Sequence, residues 1–212
     1  GAAGLSLGLV YPPSAYADRN ELLALSRTVQ QNGKLLAAHI RGYEGDLLES
    51  IDEFVDLLRH SGVPGLLSHL QLAGRPNWGR MGEALNKLEQ AREQGIDVSF
   101  DMYPYPAGSS YILQLLPTAA MEGGFDALVA RLALPAFRER LNLYLEGKDS
   151  GGAPPSKVSL IGWSNVRISG VSNPGLKNLE GQNMVQAAAC LNITPFELLL
   201  RFLGVEAGDC TP

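Results

Sequence analysis

With 212 residues, 45% of them hydrophobic and 18% charged, the chain can bury a sizeable core and does not have the composition of a disordered protein. Its 17 basic and 22 acidic residues leave a net charge of −5 with no basic run, which argues against nucleic acid or an anionic membrane as partner. No apolar stretch approaches the roughly 20 residues needed to span a bilayer.

The first apolar segment, residues 5–11, reads as a strand stopped by Pro12-Pro13, which cannot continue a ladder of backbone hydrogen bonds. A helix is predicted over 18–31, with Leu22, Leu25 and Val29 on one stripe and Gly33 as its stop. A second strand follows at 35–39. The next helix, 46–60, turns Leu47, Leu48, Ile51, Phe54, Val55 and Leu58 inward and ends at Ser61-Gly62. A third strand covers 65–69. The helix over 78–94 carries Met81, Leu85 and Leu88 inward, with Gly95 as its cap, and a fourth strand runs over 97–103. Strand and helix alternate throughout this part, which predicts parallel strands joined by right-handed crossovers and a sheet buried on both faces.

After a Pro/Gly/Ser loop over 104–110 the rhythm changes. Helices are predicted over 125–132 and 135–146, then a loop over 147–156 and one more strand over 157–162. Helices near 184–191 and 195–202 close the chain, the second starting at Thr194-Pro195, a cap followed by a first-position proline.

Two histidines carry the chemistry. His39 ends the apolar run Lys34-Leu-Leu-Ala-Ala-His39 and His69 ends Pro64-Gly-Leu-Leu-Ser-His69, one strand–helix–strand step apart. Either alone reads as a structural residue. In a (β/α) barrel, however, the C-terminal ends of neighbouring strands converge on one site, and neutral imidazole is the commonest protein ligand for zinc-like ions. His60 sits in the last turn of a helix, where it suits the helix dipole better than a site. Arg41 and Gln71 each follow one of the paired histidines by two positions and so share its face in extended chain. Arg41 could bind a carboxylate or pair with Glu44 or Asp46. Gln71 could hydrogen-bond a substrate or be a solvated loop residue. Tyr103, sharing a face with Asp101, could hold a substrate oxygen or be a core tyrosine with a satisfied hydroxyl.

Other motifs lead nowhere. Ser109 and Ser110 lack a Gly-x-Ser-x-Gly elbow, and Gly1-x-x-Gly4-x-x-x-Gly8 precedes a strand rather than following one, unlike a phosphate loop. Asp209 has no strand before it and is not expected to act as a base. Cys190 and Cys210 are too few for a disulfide framework; Cys190, in an Ala-rich run, reads as a small core residue, and a reducing compartment is the default.

Four segments together resemble a known family. Gly4-Leu-Ser-Leu-Gly-Leu-Val-Tyr-Pro12, Ala38-His-Ile-Arg41, Ser68-His-Leu-Gln-Leu-Ala-Gly-Arg-Pro-Asn-Trp78 and Asp101-Met-Tyr-Pro-Tyr-Pro-Ala-Gly-Ser109 are similar to N-acyl-D-amino-acid deacylases (D-aminoacylases), a branch of the metal-dependent amidohydrolase superfamily. The resemblance implies an α/β fold: a partial TIM-like (β/α) barrel of about four parallel strands over residues 1–113, then a mostly helical insertion subdomain over 114–170. Helices leading back to the barrel follow over 171–212. It implies that His39 and His69 are metal ligands at the ends of barrel strands five and six. Tyr11 and Tyr103 match tyrosines lining the substrate pocket. Gln71 stands where this family usually carries a lysine associated with the substrate's carboxylate; glutamine keeps the hydrogen bonding and loses the charge. The family's His-x-His, its bridging ligand and its catalytic Asp have no counterpart here. They are expected before Gly1 and after Pro212, both ends looking like cuts through a longer protein.

The function this implies is the central part of an amidohydrolase that uses a divalent metal, zinc above all, to hydrolyse a linear amide such as an N-acyl-D-amino acid. His39 and His69 hold the metal, and Tyr11, Arg41, Gln71 and Tyr103 shape the substrate pocket. The partner is a small-molecule amide, the setting cytoplasmic, and the fragment alone is expected to be inactive and prone to self-association through open sheet edges. A cyclic-amide hydrolase of the dihydroorotase or hydantoinase kind, and a non-catalytic scaffold derived from an amidohydrolase, are the alternatives.

Overall fold

A computed structural model describes residues 1–149 and 151–204. The chain separates into two compact units at the Ala107/Gly108 boundary.

In the first unit four parallel strands lie side by side in chain order: β1 Gly4–Gly8, β2 Leu35–His39, β3 Gly65–Leu67 and β4 Val98–Phe100. Helices α1 Arg19–Gln31, α2 Leu47–Ser61 and α3 Met81–Glu93 alternate with them, as the periodicity predicts. Local chemistry sets their ends. The Asp18 carboxylate caps α1 by accepting the Glu21 N–H at 2.9 Å. Gly62, at φ 70°, closes α2 with its N–H on the Leu58 carbonyl at 2.8 Å, a left-handed turn that glycine adopts without steric cost. Helix α3 starts at Met81 rather than at Trp78, because Gly79 at φ 85° interrupts the turn before it.

The strands are shorter than predicted at 5–11, 65–69 and 97–103. Strand β1 stops at a tight turn in which Tyr11 N–H bonds Gly8 O at 3.0 Å, and β3 near His69, whose φ is 43°. One hydrophobic cluster joins Leu36, Ala38, Leu67 and Val98 of the sheet to Ile51, Phe54 and Leu58 of α2 and Leu88 of α3. Leu36, Gly65 and Val98 are register partners, and α2 lies so close over them that a side chain at Gly65 would run into Leu58. In α1 the buried face is Leu22, Leu23, Ser26 and Val29; Leu25, predicted inward, is exposed.

The sheet is not buried on both faces within the described residues. Side chains alternate across a strand, and the helix-covered side takes Leu36, Ala38 and Leu67. On the other side Ser6 and Leu35 are exposed and Ala37 and Leu66 half-buried. His39 belongs to this less covered face, in step with Leu35 and Ala37.

The second unit is helical: α4 Phe125–Leu132, α5 Pro135–Leu145, α6 Lys157–Ile161, α7 Met184–Cys190 and α8 Pro195–Phe202. Its helices share one core, in which Leu128, Leu145 and Val158 meet Met184, Leu198 and Leu199. Described residues on either side of position 170 thus contribute to the same core. Helix α8 begins with Thr194 as cap and Pro195 in its first turn, as the sequence predicts, and Glu197 completes a reciprocal capping box.

Two expectations fail here. Residues 157–162 form α6, not a strand, because buried Ser156 caps the segment: its hydroxyl accepts the Ser159 N–H at 2.9 Å and donates to Leu145 O at 3.0 Å. Gly162, at φ 82°, then ends the helix. Cys190 is exposed rather than buried, since α7 turns Met184, Ala187 and Ala188 to the core, with Leu191 packed against it, leaving Cys190 on the opposite face. Asp209 and Cys210 lie outside the described residues.

Candidate metal centre

Strand register brings the two histidines together. Ala38 pairs with Leu67, so the chain segments leaving β2 and β3 run on in step, tied by Ser68 N–H to Ala38 O at 2.9 Å. His39 is the last residue of β2 and His69 stands two beyond the end of β3. Their ring centroids are 4.5 Å apart, and His39 Nδ1 meets His69 Nε2 at 2.6 Å.

That separation tests the fit for a metal. Two nitrogens bound tetrahedrally to one zinc-like ion at about 2.0–2.1 Å stand roughly 3.3–3.4 Å apart. An opening of less than about 1 Å between rings already aimed at one another would meet it. Burial holds the His69 ring below the ordinary histidine pKa, against the opposing pull of Asp101, which favours the neutral ring a metal requires near neutral pH. The donor set fits a divalent ion of the zinc class. It is incomplete: among the described residues no group of three His, Cys, Asp or Glu side chains could hold an ion.

A shell of aromatic rings surrounds the pair. Tyr11 lies 5.1 Å from His39 between centroids, and Tyr103 lies 6.4 Å from His69 at an interplanar angle of 25°. The Tyr11 position depends on Gly8, the register partner of His39: a methyl group there would lie 2.9 Å from the tyrosine ring. The Tyr103 hydroxyl donates to Gln71 Oε1, so these two predicted pocket residues meet, and burial raises the pKa of the Tyr103 phenol.

Arg41 does not join them. Its Nε bonds both oxygens of Glu53 at 2.9 Å, and its terminal nitrogens bond Ala15 O and Ala17 O at 2.6 Å. The guanidinium thus ties the loop after β1 to α2, and its acidic partner is Glu53 rather than Glu44 or Asp46. His60, expected at a helix end rather than in a site, lies in the last turn of α2 with its ring paired to Asp56 one turn earlier.

Two further residues border the histidine pair, Tyr43, which the sequence does not single out, and Asp101, which it places beside Tyr103 without a role. Tyr43 is buried, its ring edge-on to His39 with centroids 4.9 Å apart and stacked on His69 at 5.4 Å. Its hydroxyl accepts the Ile40 N–H at 3.2 Å and donates to Ser68 O at 2.9 Å. Asp101 accepts the backbone N–H of His69 through Oδ1. Tyr43 has no pattern signal, since it sits in a loop without periodicity. The one clue was the distance of Asp101 from His69, one strand–helix–strand step.

The chain is similar to N-acyl-D-glutamate deacylase of Alcaligenes xylosoxydans xylosoxydans, with 42% identity over 114 residues, which is 53% of this chain and 23% of that protein. D-aminoacylase of the same organism is 37% identical over 114 residues, 54% of this chain and 23% of the relative. The chain therefore spans about a quarter of the length of the curated relatives it matches. No family model matches it. Among solved structures, N-acyl-D-glutamate deacylase from Bordetella bronchiseptica superposes with a TM-score of 0.68 at 24% identity, covering 95% of this chain and 33% of that one. That structure holds zinc and a phosphonate inhibitor that mimics the reaction's tetrahedral intermediate. The superposition carries the fold: a parallel four-stranded sheet with helices and the helical unit after it.

Proposed function

We propose that this chain forms the central part of a longer metal-dependent amidohydrolase that cleaves a linear amide, an N-acyl-D-amino acid, to a carboxylate and an amino acid. The convergence of His39 Nδ1 and His69 Nε2 at one end of the sheet carries the reading. The similarity to two D-amino-acid deacylases supports it. The four strands are then consecutive staves of a TIM-like barrel whose inner side is the less covered face bearing His39. The further ligands and the proton-transferring carboxylate come from beyond the described residues.

His39 and His69 would hold the ion through the two nitrogens that already face each other. When bound, a zinc-class ion polarises a carbonyl and brings the pKa of its water toward neutrality. Tyr11 and Tyr103 flank the pair and bound the space a substrate would occupy. Burial keeps the Tyr103 phenol protonated, so it can pass its hydrogen bond from Gln71 to a substrate oxygen. Gln71 offers amide donors and an acceptor without charge. Arg41, turned to Glu53, holds the loop that carries Ala15 and Ala17 rather than a substrate group. A cytoplasmic setting belongs to the same proposal, supported by only two cysteines in 212 residues. No described helix is long and apolar enough to cross a membrane.

The test is metal content and activity of the complete protein purified without chelator. Stoichiometric divalent metal is expected, with hydrolysis of N-acyl-D-amino acids lost on chelation and restored by zinc. His39→Ala and His69→Ala should each lower metal affinity by more than the roughly 10–100-fold typical of losing an outer partner. Hydrolysis of ring amides but not open-chain ones would move the assignment to a cyclic-amide hydrolase. Protein free of stoichiometric metal would leave only a scaffold role.

A further inference from the structure

We propose that Tyr43 is a positioning residue for the histidine pair, fixing the spacing and tilt of both imidazoles so that they meet one cation. This rests on the metal-centre reading above and adds the element that organises it. The hydroxyl is a clasp between two strand ends. It accepts the N–H of Ile40, the residue after His39, and donates to the carbonyl of Ser68, the residue before His69. One oxygen thereby couples the backbones that carry the two ligands, at a level where β3 has already ended. The ring works on the side chains themselves. It stands nearly perpendicular to His39, at 84°, and nearly parallel to His69, at 23°, so each imidazole has one face or edge defined by the same phenol.

The clasp needs a hydroxyl that both accepts and donates, which a phenol supplies, and both of its partners are backbone groups within hydrogen-bonding distance. Ile40 is fully buried, so without the oxygen its N–H would have to find another partner out of water. Tyr43 is buried against both rings, so its influence passes through His39 and His69.

The experiment is Tyr43→Phe in the complete protein, which keeps the ring and removes the clasp. Zinc affinity is measured by chelator competition and ligand-field geometry by the visible spectrum of the cobalt-loaded protein. The expected result is a 10–100-fold weaker zinc affinity, the range for losing an outer partner of a ligand, together with a shifted cobalt spectrum. Leu88→Ala, a core change in α3 outside the site, serves as comparison; it should lower thermal stability while leaving zinc affinity and cobalt spectrum unchanged. Unaltered affinity and spectrum in Tyr43→Phe would overturn the proposal, and so would its failure to fold, which would make Tyr43 a general support of the fold. If the unsubstituted protein itself bound no stoichiometric zinc, the metal-centre reading would fall first. Wild-type binding with an indifferent Tyr43→Phe defeats only the role of Tyr43.

Discussion

The Asp101 carboxylate accepts the backbone N–H of His69, a residue whose φ of 43° lies in the left-handed region. Histidine tolerates that region better than branched residues do, but it is still uncommon for any side chain other than glycine. The chain holds the turn by strapping it to the end of the neighbouring strand, with Leu70 N–H on Asp101 O at 2.8 Å as a second tie. The turn that carries His69, a ligand in the proposed function, is thus supported from the end of β4 as well as by its own strand.

Replacing Asp101 separates the acceptor from the charge. Asp101→Asn keeps an oxygen for the His69 N–H and should retain zinc affinity within a few-fold. Asp101→Ala removes it and is expected to weaken zinc binding by about 10–100-fold. Chelator competition on both variants checks the ordering; equal affinities would remove Asp101 from the centre.

Gly8 governs Tyr11. In Gly8→Ala the added methyl would press on the Tyr11 ring, at 2.9 Å, and push it from its place beside His39. Overpacking of this kind costs about 1–3 kcal/mol. A raised KM for the amide substrate is expected to accompany the lower melting temperature, with zinc content unchanged. Steady-state kinetics and thermal unfolding measure the two effects separately.

In the helical unit, Ser156→Ala should destabilise by about 1–2 kcal/mol, the usual cost of losing an N-cap. Its hydroxyl both caps α6 and satisfies Leu145 O at the end of α5. Ser156→Thr keeps a capping oxygen and should recover part of the loss. Chemical denaturation of the two variants against the parent provides the comparison.

Acid stability should carry a contribution from Asp56. Its hydrogen bond to Arg19 lowers the carboxyl pKa, aided by the charges of Arg19, His60 and Arg59 and opposed by partial burial. A carboxylate depressed in the folded state stabilises above its unfolded pKa, about 3.9, and loses that contribution as pH falls through the lower folded value. Asp56→Asn is therefore expected to reduce stability near pH 7 while converging with the parent once pH falls below the lowered folded value. Parallel unfolding curves at all pH values would contradict this.

The elements of the first unit are legible because each is specified within a few turns of chain. The Leu47–Ile51–Phe54–Leu58 repeat and Gly62 define α2 without reference to anything distant, and Asp18 does the same for the start of α1. His39 and His69 are legible for a related reason: a parallel strand–helix–strand step translates sequence spacing into adjacency. Arg41 shows the limit. Its spacing from His39 put it on the right face of an extended chain, but Glu53 and two loop carbonyls, 12 to 26 residues away, claimed the guanidinium. Residues 157–162 fail for another reason. A five-residue segment with three apolar side chains, Val158, Leu160 and Ile161, suits a strand or a helix equally, and the Ser156 hydroxyl, bonded across eleven residues to Leu145, decided between them.

Local pattern thus carried the alternation of strands and helices, their caps and the pairing of two imidazoles, since hydrophobic period and capping chemistry act over neighbouring residues. The turn of His69 under Asp101, the clasp of Tyr43 between Ile40 and Ser68 and the diversion of Arg41 to Glu53 arose only on folding. Each depends on which atoms the strand register places within hydrogen-bonding reach, a distance of about 3 Å that residue spacing cannot resolve.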